Sequence, residues 1–504
     1  MQTETPASGL RRELSVWEAI GISVALMAPS MAANINPQGI VGTVGRAVPL
    51  AFLLATVGVL LVSWTFVRLC QRFNHAGSVY GFVGATMGAR SGVVAGWALL
   101  GTYGFYGVVT SVASGRFLSG FLDSLGVWKD QPWWTPLVLA LLILAGVYTL
   151  AVAPARNGTR LLLIVEATTV ALIVMVALIV FIKLATGSAP NGNSVDFSVF
   201  SIPDGTDTST IFLGVVFGFL SFAGFEAAAT LGEEAKHPRR DIPRAILGTA
   251  IFGGVYFVVI TAIEVMGFGT SDTGLKEFGA SSSLMGDLGT QFVGSWLGDI
   301  ITLGAAVSAF GCALACAVGA SRLLFALSRD GIGPSGLARV SGSRGTPVPA
   351  TTCVLVGMVV ALVGLTVMSA INNASADVTG PNSLDVFFWS GVIGTLILLV
   401  AYALATLGAV KLFFFSGTRS VATWEIVIPI AALLVLGYTL FRNVWPIPDA
   451  WVGKALPTIC VVWLLLAVLL VVVRPELARR AGAKLLVDEG LATGTSPAQE
   501  RASR

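Results

Sequence analysis

Charge is what this chain most lacks. Only 11% of its 504 residues are Asp, Glu, Lys or Arg, against about a quarter in a soluble domain. That shortage excludes an ordinary soluble fold. Histidine is nearly missing: His75 and His237 both fall in polar stretches between apolar runs. A histidine-based metal centre or general base at depth is thereby excluded. No nucleophile–base pair stands inside an apolar run, so the chain does not read as a membrane-embedded enzyme. Cysteines are few, and Cys70, Cys312, Cys316, Cys353 and Cys460 all sit in or beside apolar runs. They read as small packing residues, with neither a disulfide framework nor a metal set. No basic patch is interleaved with aromatics, so the net charge of +3 is no nucleic-acid footprint. A cleavable signal peptide is also lacking, and the first apolar run is expected to stay in place.

Apolar residues fill the space that charge leaves. They make up 55% of the chain, with a mean hydropathy of +0.84. Runs of about 20 apolar residues suit helices crossing a hydrocarbon core of about 30 Å. Backbone groups cannot go unpaired in lipid, and the runs are continuous rather than alternating, so helices are expected and not a barrel. About twelve spans emerge, at roughly 16–38, 47–70, 92–121, 133–152, 160–184, 210–234, 244–268, 296–327, 348–369, 385–411, 425–442 and 456–473. The fold class is an all-α polytopic membrane protein. Lys and Arg gather on alternate loops, among them Arg11, Arg12, Arg68, Arg72, Arg156, Arg160, Lys236, Arg239 and Arg240. By the positive-inside rule both termini are cytoplasmic. The other loops keep little beyond Arg46, Lys129, Lys183, Lys276, Arg442 and Lys454.

Two spans are not plain anchors. Span 1 carries Pro29 near its middle, followed by the small residues Ser30, Ala32 and Ala33; proline removes a helix donor. Span 6 carries Ser221-Phe-Ala-Gly-Phe-Glu226, a glycine and a glutamate at membrane depth. Irregular backbone is tolerated there only where protein covers it or it lines a cavity. Breaks at matching positions of two five-span halves point to an inverted-repeat transporter. Half-helix N-termini favour a carboxylate and C-termini an ammonium, so two facing breaks suit a zwitterion. A closed site of this kind also speaks against a channel, which would want a continuous polar ring.

Ser221 to Ala245, including Gly-Glu-Glu-Ala-Lys-His-Pro238, resembles the sixth-span signature of the amino acid–polyamine–organocation (APC) permeases. Two further stretches agree: Ala76-Gly-Ser-Val-Tyr-Gly-Phe-Val83 with Gly96-Trp97, and Ala320 to Pro334 with Thr346-Pro-Val-Pro349. The resemblance runs through about ten spans. It implies a LeuT-like five-plus-five inverted repeat with two peripheral helices: a tail at 1–15, repeat one at 16–184 with span 1 broken near 29–33, repeat two at 210–411 with span 6 broken near 221–225, peripheral spans at 425–473, and a disordered tail at 474–504. It implies transport of amino acids or related amines. Carried over residue by residue, Pro29, Ser30, Met31 and Ala32 would hold the substrate carboxylate through their backbone. Phe222, Ala223, Gly224 and Phe225 would hold the ammonium through carbonyls. A frequent aromatic gate position is Leu220 here, so Phe219 or Phe222 would substitute, with Tyr103, Tyr106 and Trp389 as further gate or pocket candidates. Glu226 matches an acidic position linked to proton coupling in some relatives. The fifth-span lysine of some proton-coupled members is missing; this span has Glu166 instead, which leaves the coupling ion, proton or sodium, open.

Single residues sharpen this reading. A charge at membrane depth costs about 3 kcal/mol on insertion scales and is functional by default; Glu226 is either a proton-coupling group or a brace for its broken helix. Arg116 and Glu264, near span ends, are expected to snorkel to the interface, with an outer ion pair as the alternative. Glu18 suits the start of the first helix. Glycines 92, 96, 101, 104 and 107 in span 3 are expected to allow close helix packing. The expected function is a secondary active permease of the plasma membrane for neutral amino acids, by proton symport or exchange. A polyamine or cationic amino acid is the alternative. No cofactor is expected, the bilayer is the surrounding partner, and oligomeric state stays open. Abundant Arg and Ala hint at a bacterium with GC-rich DNA.

Overall fold

A computed structural model describes residues 15–73, 79–153, 158–231, 235–329, 331–341, 345–375, 380–416, 421–448, 450–476 and 479. Arg11, Arg12, His75, Arg156, Glu233, Glu234 and most of both tails lie outside the described residues. Eleven helices among those described are long and apolar enough to cross a membrane, and a shorter apolar helix, Thr135–Ala151, stands where a further span is expected. In chain order, span 1 is Val16–Met27 and Pro29–Ile35, span 2 Val48–Arg72, span 3 Ala89–Ser124, span 4 Thr135–Ala151 and span 5 Gly158–Ala185. Span 6 is Thr208–Phe222 followed by a short turn of helix, Ala227–Leu231. Span 7 is Pro238–Phe268, span 8 Ser295–Arg329, span 9 Val348–Ala374, span 10 Ser383–Val410, span 11 Val427–Val444 and span 12 Trp451–Val473. We call the face where span 1 begins the N-terminal face, and the other the distal face.

The packing follows a rule of five. Span 3 packs most extensively on span 8, and span 2 on span 7; span 4 also touches span 9. Span 1 meets span 6 at their breaks, where Leu26 lies against Gly224. Partners five spans apart are what an inverted repeat with a pseudo-two-fold axis produces. Small residues let the paired helices close. Gly254 of span 7 leaves no room for a side chain beside Thr56 of span 2. In span 3, Gly92, Gly101 and Gly107 are pressed by Gly84, Trp463 and Met358, as close packing requires, whereas Gly104 faces open space. Lipid supplies no hydrophobic drive between helices, so such close contacts carry the association.

Two helices between spans 7 and 8, Asp272–Ala280 and Leu284–Phe292, are too short to span and lie at the distal face. The peripheral span 11 is tied to span 2 by Glu425, which accepts from Arg68 Nη2 at 2.5 Å and Trp64 Nε1 at 2.8 Å. Glu18 closes a capping box: its carboxylate accepts from Ser15 N–H at 2.8 Å, while Ser15 Oγ accepts from Glu18 N–H. That arrangement fixes the first turn of span 1.

Candidate functional site

Span 1 breaks at one residue. Ala28 adopts a left-handed conformation with φ 48° and ψ 56°, and the helix restarts at Pro29. The break thus falls one residue before the stretch 29–33. Proline has no N–H to lose at a helix start, which explains its place. Of the next amides, Ala32 N–H already closes onto Ala28 O at 2.9 Å. Ser30 N–H donates to Glu166 Oε1 of span 5 at 2.9 Å. The Ser30 amide expected to face a substrate carboxylate is therefore met by a carboxylate of the chain itself.

Span 6 breaks over a longer stretch. Helix ends at Phe222, Gly224 takes φ +101°, and a new turn starts at Ala227. A side chain on Gly224 would stand 3.2 Å from the Leu26 backbone, so glycine is required both by conformation and by the neighbouring break. Ala228 N–H donates to Ser23 Oγ of span 1 at 2.9 Å. Phe222 O and Gly224 O each accept one backbone N–H and keep a lone pair. Ala223, Gly224 and Glu226 are half-buried, whereas Phe225 is fully buried. Glu226 turns back toward its own N–H and that of Gly224 and faces the Tyr402 hydroxyl, but its Oε2 closes no hydrogen bond among the described residues. Tyr103, Tyr106 and Tyr402 all lie within electrostatic reach of this carboxyl.

The aromatic candidates divide by direction. Phe219 packs on Gly58 of span 2, and Phe222 on Gly253 and Phe257 of span 7, with ring centroids 5.4 Å apart in the latter pair. Both rings fill contacts between helices. Leu220 instead lies against Gly391 of span 10 and Tyr106 against Gly394, its hydroxyl 3.0 Å from Thr395 Oγ1. Tyr103 rests on Gly319 of span 8. These three, with Glu226, surround the span 6 break. Trp389 is half-buried on span 10.

Several residues were not singled out as functional. Asn34 Oδ1 accepts from Ser283 Oγ, Met285 N–H and Gly286 N–H at 2.8, 2.9 and 3.2 Å, and its Nδ2 donates to Ser30 O at 2.8 Å. It thereby caps the helix Leu284–Phe292. Gln38 Nε2 donates to Phe278 O and Ser281 O, and Asn36 Nδ2 to Ser221 Oγ of span 6. Three carboxamides at alternate positions of an apolar run were the signal available. Glu264 does not snorkel, and Arg116 is half-buried. Arg116 Nη1 donates to Ser383 Oγ at 2.9 Å, Glu264 is fully buried, and they form no pair with one another. Glu264 lies far enough inside the packed bundle that helices, not lipid headgroups, surround it.

The family model described as "Amino acid permease" matches residues 19–470. The chain is 26% identical over 356 residues to the "Branched-chain amino acid permease BcaP" of Bacillus subtilis (strain 168), covering 68% of this chain and 72% of that protein. It is 27% identical to "Cationic amino acid transporter 4" of Homo sapiens, covering 70% of this chain and 55% of that protein. It is 25% identical to the "Low-affinity putrescine importer PlaP" of Escherichia coli (strain K12), covering 70% and 74%. With its broken spans side by side and the family match running from the first span to the last, this chain belongs to the amino acid permease family of the APC superfamily.

Proposed function

We propose that the chain moves a neutral amino acid across the plasma membrane by alternating access, with both termini cytoplasmic. The contact of the two breaks, Leu26 against Gly224, carries this reading, because it brings two interrupted helices to one point at mid-depth. The ammonium would sit at the free lone pairs of the Phe222 and Gly224 carbonyls, with Glu226 as counter-charge. The carboxylate would meet the start of the second half of span 1, at Ser30 and Met31, in competition with Glu166. Leu220 and Val109, both against Gly391 of span 10, make the neighbourhood of the span 6 break apolar, which suits an aliphatic side chain. The similarity to a branched-chain amino acid permease supports that choice. A cationic amino acid or polyamine is the second reading, favoured by the unpartnered oxygen of Glu226 among three tyrosines and by the similarity to a putrescine importer.

The test is counterflow in proteoliposomes. Vesicles preloaded with unlabelled L-leucine should take up labelled L-leucine saturably and faster than empty ones. Ohmic current without counterflow would overturn the carrier reading. Counterflow with putrescine or lysine alone would select the second reading.

A further inference from the structure

Arg116 of span 3 carries a positive charge inside the bundle and meets no counter-charge among the described residues. Its Nη1 donates to Ser383 Oγ of span 10 at 2.9 Å, while its Nε is buried without a hydrogen-bond partner. The edge made by Nε and Nη2, the fork that grips a carboxylate side-on, therefore closes on no group among the described residues. The residue as a whole is half-buried, not sealed. The nearby carboxylates serve other groups. Asp385 of span 10 accepts from Ser369 Oγ of span 9 at 2.7 Å, and Asp287 accepts from Ser281 Oγ at 2.5 Å. Asp123, about two turns further along span 3, is exposed. A charge kept unpaired inside a membrane bundle is costly and functional by default.

Successive contacts place Arg116 on the way to the breaks. Beside the span 6 break, Leu220 and Val109 lie against Gly391 of span 10. About one turn toward the distal face, Phe217 of span 6 meets Phe388 of span 10 edge to face, with ring centroids 5.5 Å apart. Further out still, Arg116 meets Ser383. Arg116 follows Val109 by about two turns, so it shares that residue's face of span 3 and stands about 10 Å further out. Gly120, about one turn beyond, lies against Ser282, in the link between the helices Asp272–Ala280 and Leu284–Phe292. The guanidinium thus sits on the seam of spans 3 and 10, outside the ring pair and beneath the distal helices. An amino acid held at the breaks does not reach that far.

We propose that Arg116 is an outer carboxylate-binding residue, which takes the carboxylate of an amino acid arriving from the distal side before that amino acid reaches the breaks. The proposal rests on the permease reading above and names a selecting residue for it. Guanidinium and carboxylate match in charge and in fork geometry. An amine without a carboxylate finds no counter-charge at Arg116, and a polyamine meets a like charge, so the outer site favours amino acids over amines. A single fork holds less firmly than a grip on both ends of the ligand. The outer site therefore fills only at concentrations well above those that saturate the inner one.

Two fragments of leucine test this as inhibitors of labelled L-leucine counterflow, with the purified full chain in proteoliposomes at constant ionic strength. Isocaproate keeps the carboxylate and lacks the ammonium; isopentylamine keeps the ammonium and lacks the carboxylate. In Arg116→Gln the inhibition constant of isocaproate should rise about tenfold, as loss of a charge-assisted pair implies, while that of isopentylamine stays within about twofold. Arg116→Lys keeps the charge but loses the fork, so the isocaproate constant should rise only about threefold. Ser383→Ala removes the bond to span 10 and leaves the guanidinium, so that constant should stay within about twofold of wild type. Isocaproate that fails to inhibit the wild type, or inhibits Arg116→Gln equally well, overturns the proposal. So does an equal rise in Ser383→Ala, since Arg116 then only braces span 10, or an equal rise for the amine. Chloride that inhibits as strongly as isocaproate overturns it as well. If Arg116→Gln is not recovered folded, Arg116→Lys decides: a raised isocaproate constant with an unchanged amine constant supports the site, and an unchanged isocaproate constant overturns it. A wild type without leucine counterflow strikes the amino acid reading instead, and Arg116 is then judged by melting. Isocaproate at about 100 mM, against equal chloride, should raise the Tm of the wild type and of Gly224→Val but not that of Arg116→Gln. A rise in all three chains, or in none, overturns the site.

Discussion

The two breaks do the same job by different means. In span 1 the chain turns on a single left-handed alanine, Ala28, and an acidic side chain from span 5 takes the Ser30 amide. In span 6 the turn spreads over Ala223 to Glu226, and the acid is two residues from the glycine that makes the turn. The span 1 break is thus stapled to the bundle, through Glu166 on one side and Asn34 on the other. The span 6 break keeps half-buried backbone and a carboxyl oxygen of Glu226 with no hydrogen-bond partner among the described residues. The difference teaches that one break is held by side chains from other elements, whereas the other is made by its own backbone and leaves polar atoms free for the proposed ligand.

Four substitutions would break or sharpen that contrast, beginning with the largest effect. Gly224→Val places a side chain in a φ +101° position 3.2 Å from Leu26; leucine counterflow should fall by a factor of about 100, as happens when a positioning element shifts by about 1 Å. Retained counterflow would show that the span 6 break is not the occupied one. Asn34→Leu leaves Met285 N–H, Gly286 N–H and Ser283 Oγ without their acceptor. Unsatisfied buried groups cost about 1–3 kcal/mol each, so melting should drop by several degrees or more, and an unchanged Tm would remove the staple.

Ala28→Gly is the mild counterpart of the Gly224 change. Glycine relieves about 1–2 kcal/mol of left-handed strain but costs about 0.5–1 kcal/mol through its freer unfolded chain. Stability should stay within about 1 kcal/mol of wild type, and a large loss would show that the Ala28 methyl is needed. The smallest effect concerns Asp287, beside the Asn34 staple. Burial pushes its carboxyl above the ordinary 3.8, against a 2.5 Å hydrogen bond from Ser281 Oγ. The folded chain holds that proton to higher pH than the unfolded chain does, so stability falls as pH rises from about 3.8 through the raised value. Asp287→Asn should flatten the fall of Tm over that window, and an unaltered slope would contradict the assignment.

Much of this was legible in the sequence. The spans followed from apolar runs because lipid allows few alternatives, and Pro29 and Gly224 announced both breaks. The outcome at Ala28 was less legible. Proline marks the helix it begins, and the strained residue before it carries no special side chain. Glu166 was visible as an acid in an apolar run, yet nothing local says that it reaches across to Ser30, 136 positions away. Glu264, near a span end, reads as an interfacial charge, because one-dimensional depth does not tell lipid from packed protein. Phe219 and Phe222 stand out for aromaticity, but helix rotation, which periodicity fixes only loosely, turns them toward spans 2 and 7 and leaves Leu220 facing span 10.

The central claim is that an amino acid binds where the two breaks adjoin. Thermal melting of the purified chain with leucine, lysine or putrescine at about 100 times the dissociation constant tests it, since binding at that ratio adds about 2.7 kcal/mol to the native state. The account predicts that leucine raises the Tm of the wild type and leaves that of Gly224→Val unmoved. No shift with any of the three, or an equal shift in both chains, would contradict it.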